Sequence, residues 1–155
     1  MTEHKPHSIR YKEAQKQYNN WHKKLINKRN NNYNKQTTDI IKNSSFIAVQ
    51  NENTAWKHNK HLSRGIQLNA PRIFMDHLKR KCDWNDVEFI KVPKNFPSTQ
   101  ICSKCKKQNE NLRRKENLGI REWDCPYCGA HHDRDVNASI SILNRGLELA
   151  GAAVQ

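Results

Sequence analysis

The spacing of apolar residues predicts a long helix at the start of the chain, over residues 9–43. Tyr11, Ala14, Tyr18 and Trp21 recur at alternating steps of three and four residues, the spacing of one face of an α-helix. Lysines occupy much of the opposite face. Two interpretations of that face stay open: a solvated surface, or a surface that contacts phosphates.

Two short apolar runs predict strands, over 46–49 and 87–92. Residues 59–81 between them have roughly helical spacing, and Pro71 predicts that this helix kinks or divides. A last helix is predicted over 136–147. Strands separated by helices favour an α/β sheet, although two strands are too few for a stable sheet by themselves.

Four cysteines form two pairs with two residues inside each pair: Cys102 with Cys105, and Cys125 with Cys128. Such a pair can aim both sulfurs at one ion from a tight turn, and a hairpin between the pairs can bring them together. Four thiolates then complete a closed, structural zinc shell with no open position for chemistry. The alternatives are a pair of disulfides or four unconnected thiols. The fifth cysteine, Cys82, is expected to be a packed thiol.

The charge of the chain suggests a polyanionic partner. The 155 residues, enough for one domain or a domain with a small insert, contain 28 Lys and Arg against 15 Asp and Glu, a net charge of +13. DNA, RNA or an acidic membrane surface would suit that balance, although a base-composition bias in the gene could also enrich lysine. Acidic residues outnumber basic ones only in the segment 116–155.

Basic residues also lie beside the cysteine pairs, where they could contact phosphates. An exposed, soluble hairpin is the alternative. The candidate nucleic-acid-binding residues are Lys106, Lys107, Arg113, Arg114, Lys115 and Arg134.

No apolar run approaches the roughly 18 residues needed to span a bilayer, and the first residues are polar without a secretory pattern. The sequence therefore predicts an intracellular location, in the cytoplasm, nucleoid or interior of a host cell. Disulfides are rare there, which favours metal for the paired cysteines.

Two aspartates, Asp133 and Asp135, come just before the last predicted helix. An aspartate at a helix start accepts backbone N–H bonds and is favoured by the helix dipole. A carboxylate at this place could equally bind Mg²⁺ in a nuclease. The residues alone leave both interpretations open.

Three segments together resemble the C-terminal half of the TnpB proteins: INKRNNNYNKQTTDIIKNSSFIAVQ, FPSTQICSKCKK and REWDCPYCGAHHDRDVNASISIL. TnpB proteins are encoded by insertion sequences, were long labelled transposases, and are relatives of type V CRISPR effectors. The resemblance runs from about residue 9 to residue 147, and its most specific part is 125–142.

This resemblance implies an α/β, partial RNase H-like fold of the RuvC type, with a long N-terminal helix and an inserted four-cysteine zinc ribbon. It implies a DNA endonuclease lineage associated with transposition, with DNA and a guide RNA as partners and carboxylates that hold Mg²⁺. The implied parts are a long helix (1–45), a partial RuvC-like unit (46–100), the zinc ribbon (101–131), and the last RuvC-like motif with the C-terminal helix (132–155).

The catalytic residues that the resemblance implies are incomplete in this chain. Asp135 stands directly before the V-N-A triplet, where the family has its last carboxylate, and Asp133 would be a supporting neighbour. Gln50 stands at the expected glutamate position, and a neutral amide is a poor substitute there. Glu52, two residues further on, is a possible shifted ligand. The strand that carries the family's first carboxylate has no counterpart in residues 1–8.

We therefore expect a DNA-binding protein of this lineage that is truncated and nuclease-deficient by itself. One alternative is a nuclease-dead, zinc-ribbon module that binds nucleic acid. Another is a fragment completed by a partner chain that supplies the missing strands, since an incomplete sheet leaves an edge open for pairing.

Overall fold

The computed structural model describes residues 8–50, 70–117 and 119–153. These residues form three helices and two small sheets, joined by irregular segments and two short 3₁₀ turns. In chain order, the elements are α1 (Ile9–Lys42), β1 (Phe46–Gln50), α2 (Pro71–Trp84), β2 (Glu88–Val92), 3₁₀ turns at Glu110–Arg113 and Lys115–Asn117, β3 (Glu122–Asp124), β4 (His131–Asp133) and α3 (Arg134–Ala153).

β1 and β2 pair in parallel, in a register that runs from Phe46 opposite Glu88 to Gln50 opposite Val92. Parallel strands need a crossover connection, and α2 lies in the connection between them. Both strands lie where the apolar runs predicted them, within one residue at each end. The predicted α/β class is confirmed.

α1 and α2 pack against each other around a small apolar cluster. Ile41, Leu78 and Cys82 are buried there, so Cys82 is the packed thiol that the sequence predicted. The ring of Tyr33 on α1 meets the edge of Phe74 on α2 with 5.3 Å between centroids. The second half of α1 therefore contributes to the core.

The first half of α1 leaves its apolar face uncovered by the described residues. Tyr11, Tyr18 and Trp21 are exposed, Trp21 to 62 %. The helix and its face were predicted correctly, but only the turns from Tyr33 onward bury that face.

α2 begins at Pro71, where the sequence predicted a kink or a division. A proline at the first helical position loses no hydrogen bond, since that N–H has no partner within the helix. Ala70 before it has a left-handed backbone, with φ of 37°. The part of the predicted helix over 59–69 lies outside the described residues.

α3 crosses β1 at Gly146. A Cβ at this glycine would lie 2.5 Å from the Cβ of Ala48 and 3.3 Å from the ring of Phe46. The absent side chain therefore sets how closely the helix approaches the sheet. None of the helices in the described parts of the chain is both long and apolar enough to cross a membrane.

α3 is longer than the predicted 136–147 at both ends. At its start, Oδ1 of Asp133 accepts hydrogen bonds from the N–H groups of Asp135 and Val136, both at 2.9 Å. This cap provides an acceptor for two of the otherwise unpaired N–H donors at the helix start. At its end, leucine, glutamate and alanine favour continued helix.

We expect Gly146→Ala to destabilise the fold by about 1–3 kcal/mol, because the added methyl group must push β1 away from α3. Gly151→Ala is the matched control: the same helix gains a methyl group with nothing within 4 Å of it, so helix propensity should stabilise it by up to about 1 kcal/mol. Urea unfolding measures both. Equal stabilisation by the two substitutions would contradict the close approach.

Candidate metal centre and neighbouring acidic residues

The two cysteine pairs fold into the same tight turn. In each turn, the N–H of the first cysteine donates to the carbonyl of the residue five positions later. The N–H of the residue four positions later donates to the carbonyl of that first cysteine. These distances are 3.0 and 2.8 Å for the turn at Cys102, and 2.9 Å for both bonds at Cys125. The residue after each pair has a left-handed backbone: Lys106 with φ of 60° and Gly129 with φ of 67°.

The repeated turn brings the four sulfurs together. Sγ of Cys102 lies 3.7 Å from that of Cys128, and Sγ of Cys105 lies 3.6 Å from that of Cys125. All four atoms lie within 4.8 Å of one another. A disulfide needs about 2.05 Å, whereas a tetrahedron with Zn–S bonds of about 2.3 Å separates its sulfurs by about 3.8 Å. The four cysteines could therefore hold a metal such as zinc.

The thiols differ in how readily they ionise. Burial raises the pKa of Cys102 to about 12. Burial also opposes ionisation of Cys125, but N–H groups of Tyr127 and Cys128 and hydrogen bonds with the neighbouring thiols outweigh it, lowering the pKa of Cys125 to about 7. Cys125 is thus the readier thiolate, and a metal must displace the proton of Cys102.

A small hairpin forms around the second cysteine pair, whereas the sequence predicted it between the pairs. β3 and β4 flank that second turn as antiparallel strands, with Trp123 opposite His132. Trp123 and Leu112 are buried in one cluster with Cys102 and Cys125. The segment between the pairs contributes two 3₁₀ turns and β3.

Arg134 is buried inside this unit, at 8 % exposure. Its guanidinium donates to the carbonyls of Asn117 at 3.1 Å, Ile120 at 3.2 Å and Leu112 at 3.5 Å. The nucleic-acid contact predicted for Arg134 needs correction, because a guanidinium committed to three carbonyls is not available to phosphates. Its charge fixes the segment between the cysteine pairs to the start of α3.

α3 is fastened to the first cysteine turn by polar side chains that sequence reasoning missed. The amide of Asn137, which is 1 % exposed, donates to the carbonyl of Ile101 at 2.7 Å and accepts from the N–H of Ser103 at 2.8 Å. The hydroxyl of Ser141 also donates to Ile101, at 3.3 Å. An asparagine beside alanine in the first turns of an apolar helix was the only signal, because asparagine is a weak helix former.

The two aspartates have different environments. Asp133 caps α3, which is one of the two interpretations that the sequence left open. Asp135 is exposed, with 77 % of its side chain accessible, and its carboxylate lies 3.4 Å from the guanidinium of Arg121. Helical spacing puts Asp135 on the same stripe of α3 as Ala138, Ile142 and Gly146, the stripe that meets β1 at Gly146.

Gln50 ends β1 and fastens the loop after β2. Its Nε2 donates to the carbonyl of Phe96 at 2.7 Å and lies 3.4 Å from that of Lys94, while its Oε1 accepts from the hydroxyl of Ser98 at 2.8 Å. Carbonyls at one end and a hydroxyl at the other fix the amide's orientation. We call these hydrogen bonds the clasp of Gln50. A carboxylate has no N–H and could not donate the hydrogen bond to the carbonyl of Phe96.

The described residues contain a single group of three or more Cys, His, Asp or Glu side chains close enough to hold a metal, and it is the four-cysteine group. Asp133, Asp135 and Gln50 do not form a carboxylate cage in the described parts of the chain. Glu52 lies outside them. The described residues thus fit a sulfur-bound metal, and among them no group of three carboxylates comes together for Mg²⁺.

Four of the remaining basic candidates face solvent. Lys106, Lys107, Arg113 and Arg114 are exposed. Nζ of Lys106 lies 3.4 Å from Glu148, and Nζ of Lys107 lies 5.0 Å from the ring centre of Tyr127. Lys115 begins the second 3₁₀ turn, and its side chain is outside the description.

Comparison with known proteins shows which family this chain is similar to. The Cas12f1-like TNB-domain model matches residues 72–142. A protein of Streptomyces pristinaespiralis named "Putative RNA-guided DNA endonuclease" is 30 % identical over 141 residues, which cover 90 % of this chain and 34 % of that protein. This chain is similar to the TnpB/Cas12f-like family.

A solved structure supports the fold of this TnpB/Cas12f-like chain. Cas12f1, determined by cryo-EM in a complex with sgRNA and target DNA, has a TM-score of 0.57 at 20 % identity, over 79 % of this chain and 35 % of that one. The chain thus spans about a third of the length of both relatives. The resemblance read from the sequence is confirmed.

We expect Gln50→Glu to destabilise this TnpB/Cas12f-like fold by about 1–3 kcal/mol at neutral pH, because a carboxylate would face the carbonyls of Phe96 and Lys94 without a proton to donate. Thermal or urea unfolding measures the change.

Gln100→Glu is the matched control. Oε1 of Gln100 accepts from Nε2 of Gln108 at 2.9 Å. The same substitution keeps an acceptor there and should lower the stability of the fold little. If both variants were as stable as the original chain, the clasp by Gln50 would be refuted.

Proposed function

We propose that this chain is a zinc-stabilised, DNA-binding part of the RNA-guided endonuclease lineage and that it does not cut DNA by itself. The Streptomyces relative's name supports the lineage. The observation that carries the proposal is the clasp of Gln50: the residue at the expected glutamate position is a neutral amide committed to a loop. RuvC-like topology and the boundaries 46–100, 101–131 and 132–155 belong to this proposal.

Zinc is the metal we propose for Cys102, Cys105, Cys125 and Cys128. Four sulfur donors at tetrahedral separations suit zinc in a structural site. Bound there, zinc would supply positive charge that neutralises clustered thiolates, and the closed shell would leave no position for a substrate. Its contribution would be to folding, since metal binding and local folding are coupled in such small units.

DNA binding is supported by exposed positive charge on a constrained segment. Lys106 and Lys107 follow the first cysteine pair directly, and Arg113 and Arg114 lie around the first 3₁₀ turn. Because cysteine turns and Arg134 hold this segment, little ordering entropy would oppose phosphate contacts. The net charge of +13 adds attraction at longer range.

The absence of cutting is supported by the contacts that the implied catalytic side chains make within this chain. Asp133 caps a helix, Asp135 pairs with Arg121, and Gln50 clasps the loop. A two-ion mechanism needs several carboxylates around the same point. The described residues supply no such group.

A second candidate function is supported by an exposed apolar stripe on α3. Val136, Ile140, Leu143 and Leu147 follow one another at helical steps and are 42–58 % exposed. β1 and β2 pair only with each other among the described strands, so each has an open edge. A partner segment that adds strands and covers the stripe would complete the sheet and bring further carboxylates, with guide RNA binding as a property of the completed assembly.

The experiment uses the purified chain and a fluorescently labelled DNA duplex. Anisotropy should report binding whose log K falls steeply with log salt concentration, because lysines and arginines displace counterions. Replacing both Arg113 and Arg114 by Gln should reduce that slope by about 1 per arginine. Replacing the exposed Lys79 and Lys91 by Gln changes the net charge equally and should alter the slope less.

The same samples test cutting. With Mg²⁺ added, the duplex should remain intact over hours. Mg²⁺-dependent cleavage that disappears in Asp135→Ala would overturn the proposed deficiency. A flat salt dependence would overturn DNA binding independently of that result.

A further inference from the structure

His132 has a different environment from its neighbour on β4. His131 is exposed, and its Nδ1 lies 2.8 Å from Oδ1 of Asp124. His132 points to the opposite face, as successive residues of a strand do, and its ring centre lies 4.9 Å from that of Trp123. Trp123 is buried with two of the cysteines, so His132, which packs against Trp123, also lies beside the sulfur cluster.

Nε2 of His132 lies 3.1 Å from Sγ of Cys102. If both atoms were ligands of one tetrahedral zinc, bonds of about 2.3 and 2.0 Å would separate them by about 3.5 Å. The observed distance is shorter. Among the described side chains, the metal-binding group whose donor atoms all lie within 4.8 Å of one another contains the four sulfurs and no imidazole nitrogen. The contact therefore fits a hydrogen bond from N–H to sulfur.

Cys102 is the cysteine that most needs such a donor. It is fully buried, and burying an ionised sulfur is costly unless hydrogen bonds or opposite charge compensate. The N–H of Cys105 reaches the same sulfur only at a long 3.5 Å. A second donor from His132 would share the negative charge of the thiolate.

We propose that His132 is a positioning residue of the metal centre, whose Nε2–H donates a hydrogen bond to the thiolate of Cys102 and thereby strengthens metal binding. The inference rests on the proposed four-sulfur zinc site. Donors of this kind outside the ligand shell orient the ligands, and their loss typically weakens metal affinity 10–100-fold.

The test compares His132→Phe with His131→Phe in the full chain. Phenylalanine keeps a ring against Trp123 but has no N–H, and the control makes the same change one residue away. Zinc affinity, measured by competition with a chromophoric chelator, should fall 10–100-fold in His132→Phe and change less than threefold in His131→Phe. The sulfur-to-cobalt charge-transfer band of the Co²⁺ form should move to longer wavelength only in His132→Phe, since sulfur loses a stabilising donor.

His132→Gln keeps an N–H donor without the ring and should recover part of the lost affinity. It also keeps the test open if His132→Phe does not fold. Equal affinity and equal spectra for the variants at 131 and 132, or a Gln variant with no recovery, would overturn the role of His132. Failure of the unmodified chain to bind one equivalent of Co²⁺ would instead refute the metal site itself.

Discussion

Four sulfurs within 4.8 Å of one another form the constraint on which the C-terminal half of the chain depends; Cys102 and Cys125 are buried, Cys105 is half-buried and Cys128 is exposed. As thiolates they would repel each other, and the apolar cluster that packs around them is built on Trp123 and Leu112. A cation reverses the sign of that interaction. Metal binding would also hold α3 in place, because Asn137 and Ser141 hydrogen-bond α3 to the turn around Cys102. α3 in turn packs on β1 at Gly146, so the metal centre and the parallel strands share one helix.

The polar residues near that helix perform structural tasks where the family resemblance implies catalysis. Asp133 satisfies two N–H groups at the start of α3, and Gln50 donates to a carbonyl that a glutamate would repel. Both tasks are hydrogen bonds that the side chain makes to the backbone of this chain. They explain how the fold accommodates a neutral residue at the end of β1 and why restoring the acid there would disturb the loop after β2.

Local patterns predicted α1, both parallel strands and the four-cysteine group, because periodicity and the spacing of cysteine pairs are encoded within a few residues. Patterns of that kind could not reveal contacts across longer separations. Arg134 looked like a phosphate-binding residue until its carbonyl partners at 112, 117 and 120 were known. Asn137 and His132 likewise depend on partners some 30 residues earlier. α2 begins at Pro71, where the sequence predicted a kink or a division, because proline breaks a helix in its interior but begins one at its first position.

Hydrogen exchange at the N–H of Ser103 tests the coupling between metal and helix most directly, since that group donates to Asn137 on α3. With zinc bound, the account predicts strong protection at Ser103 and through β3 and β4. After a chelator removes the metal, protection at these sites should be lost, while the amides between β1 and β2 should keep more of theirs, because sub-global openings have separate free energies. Unchanged protection of Ser103 without metal would contradict the account.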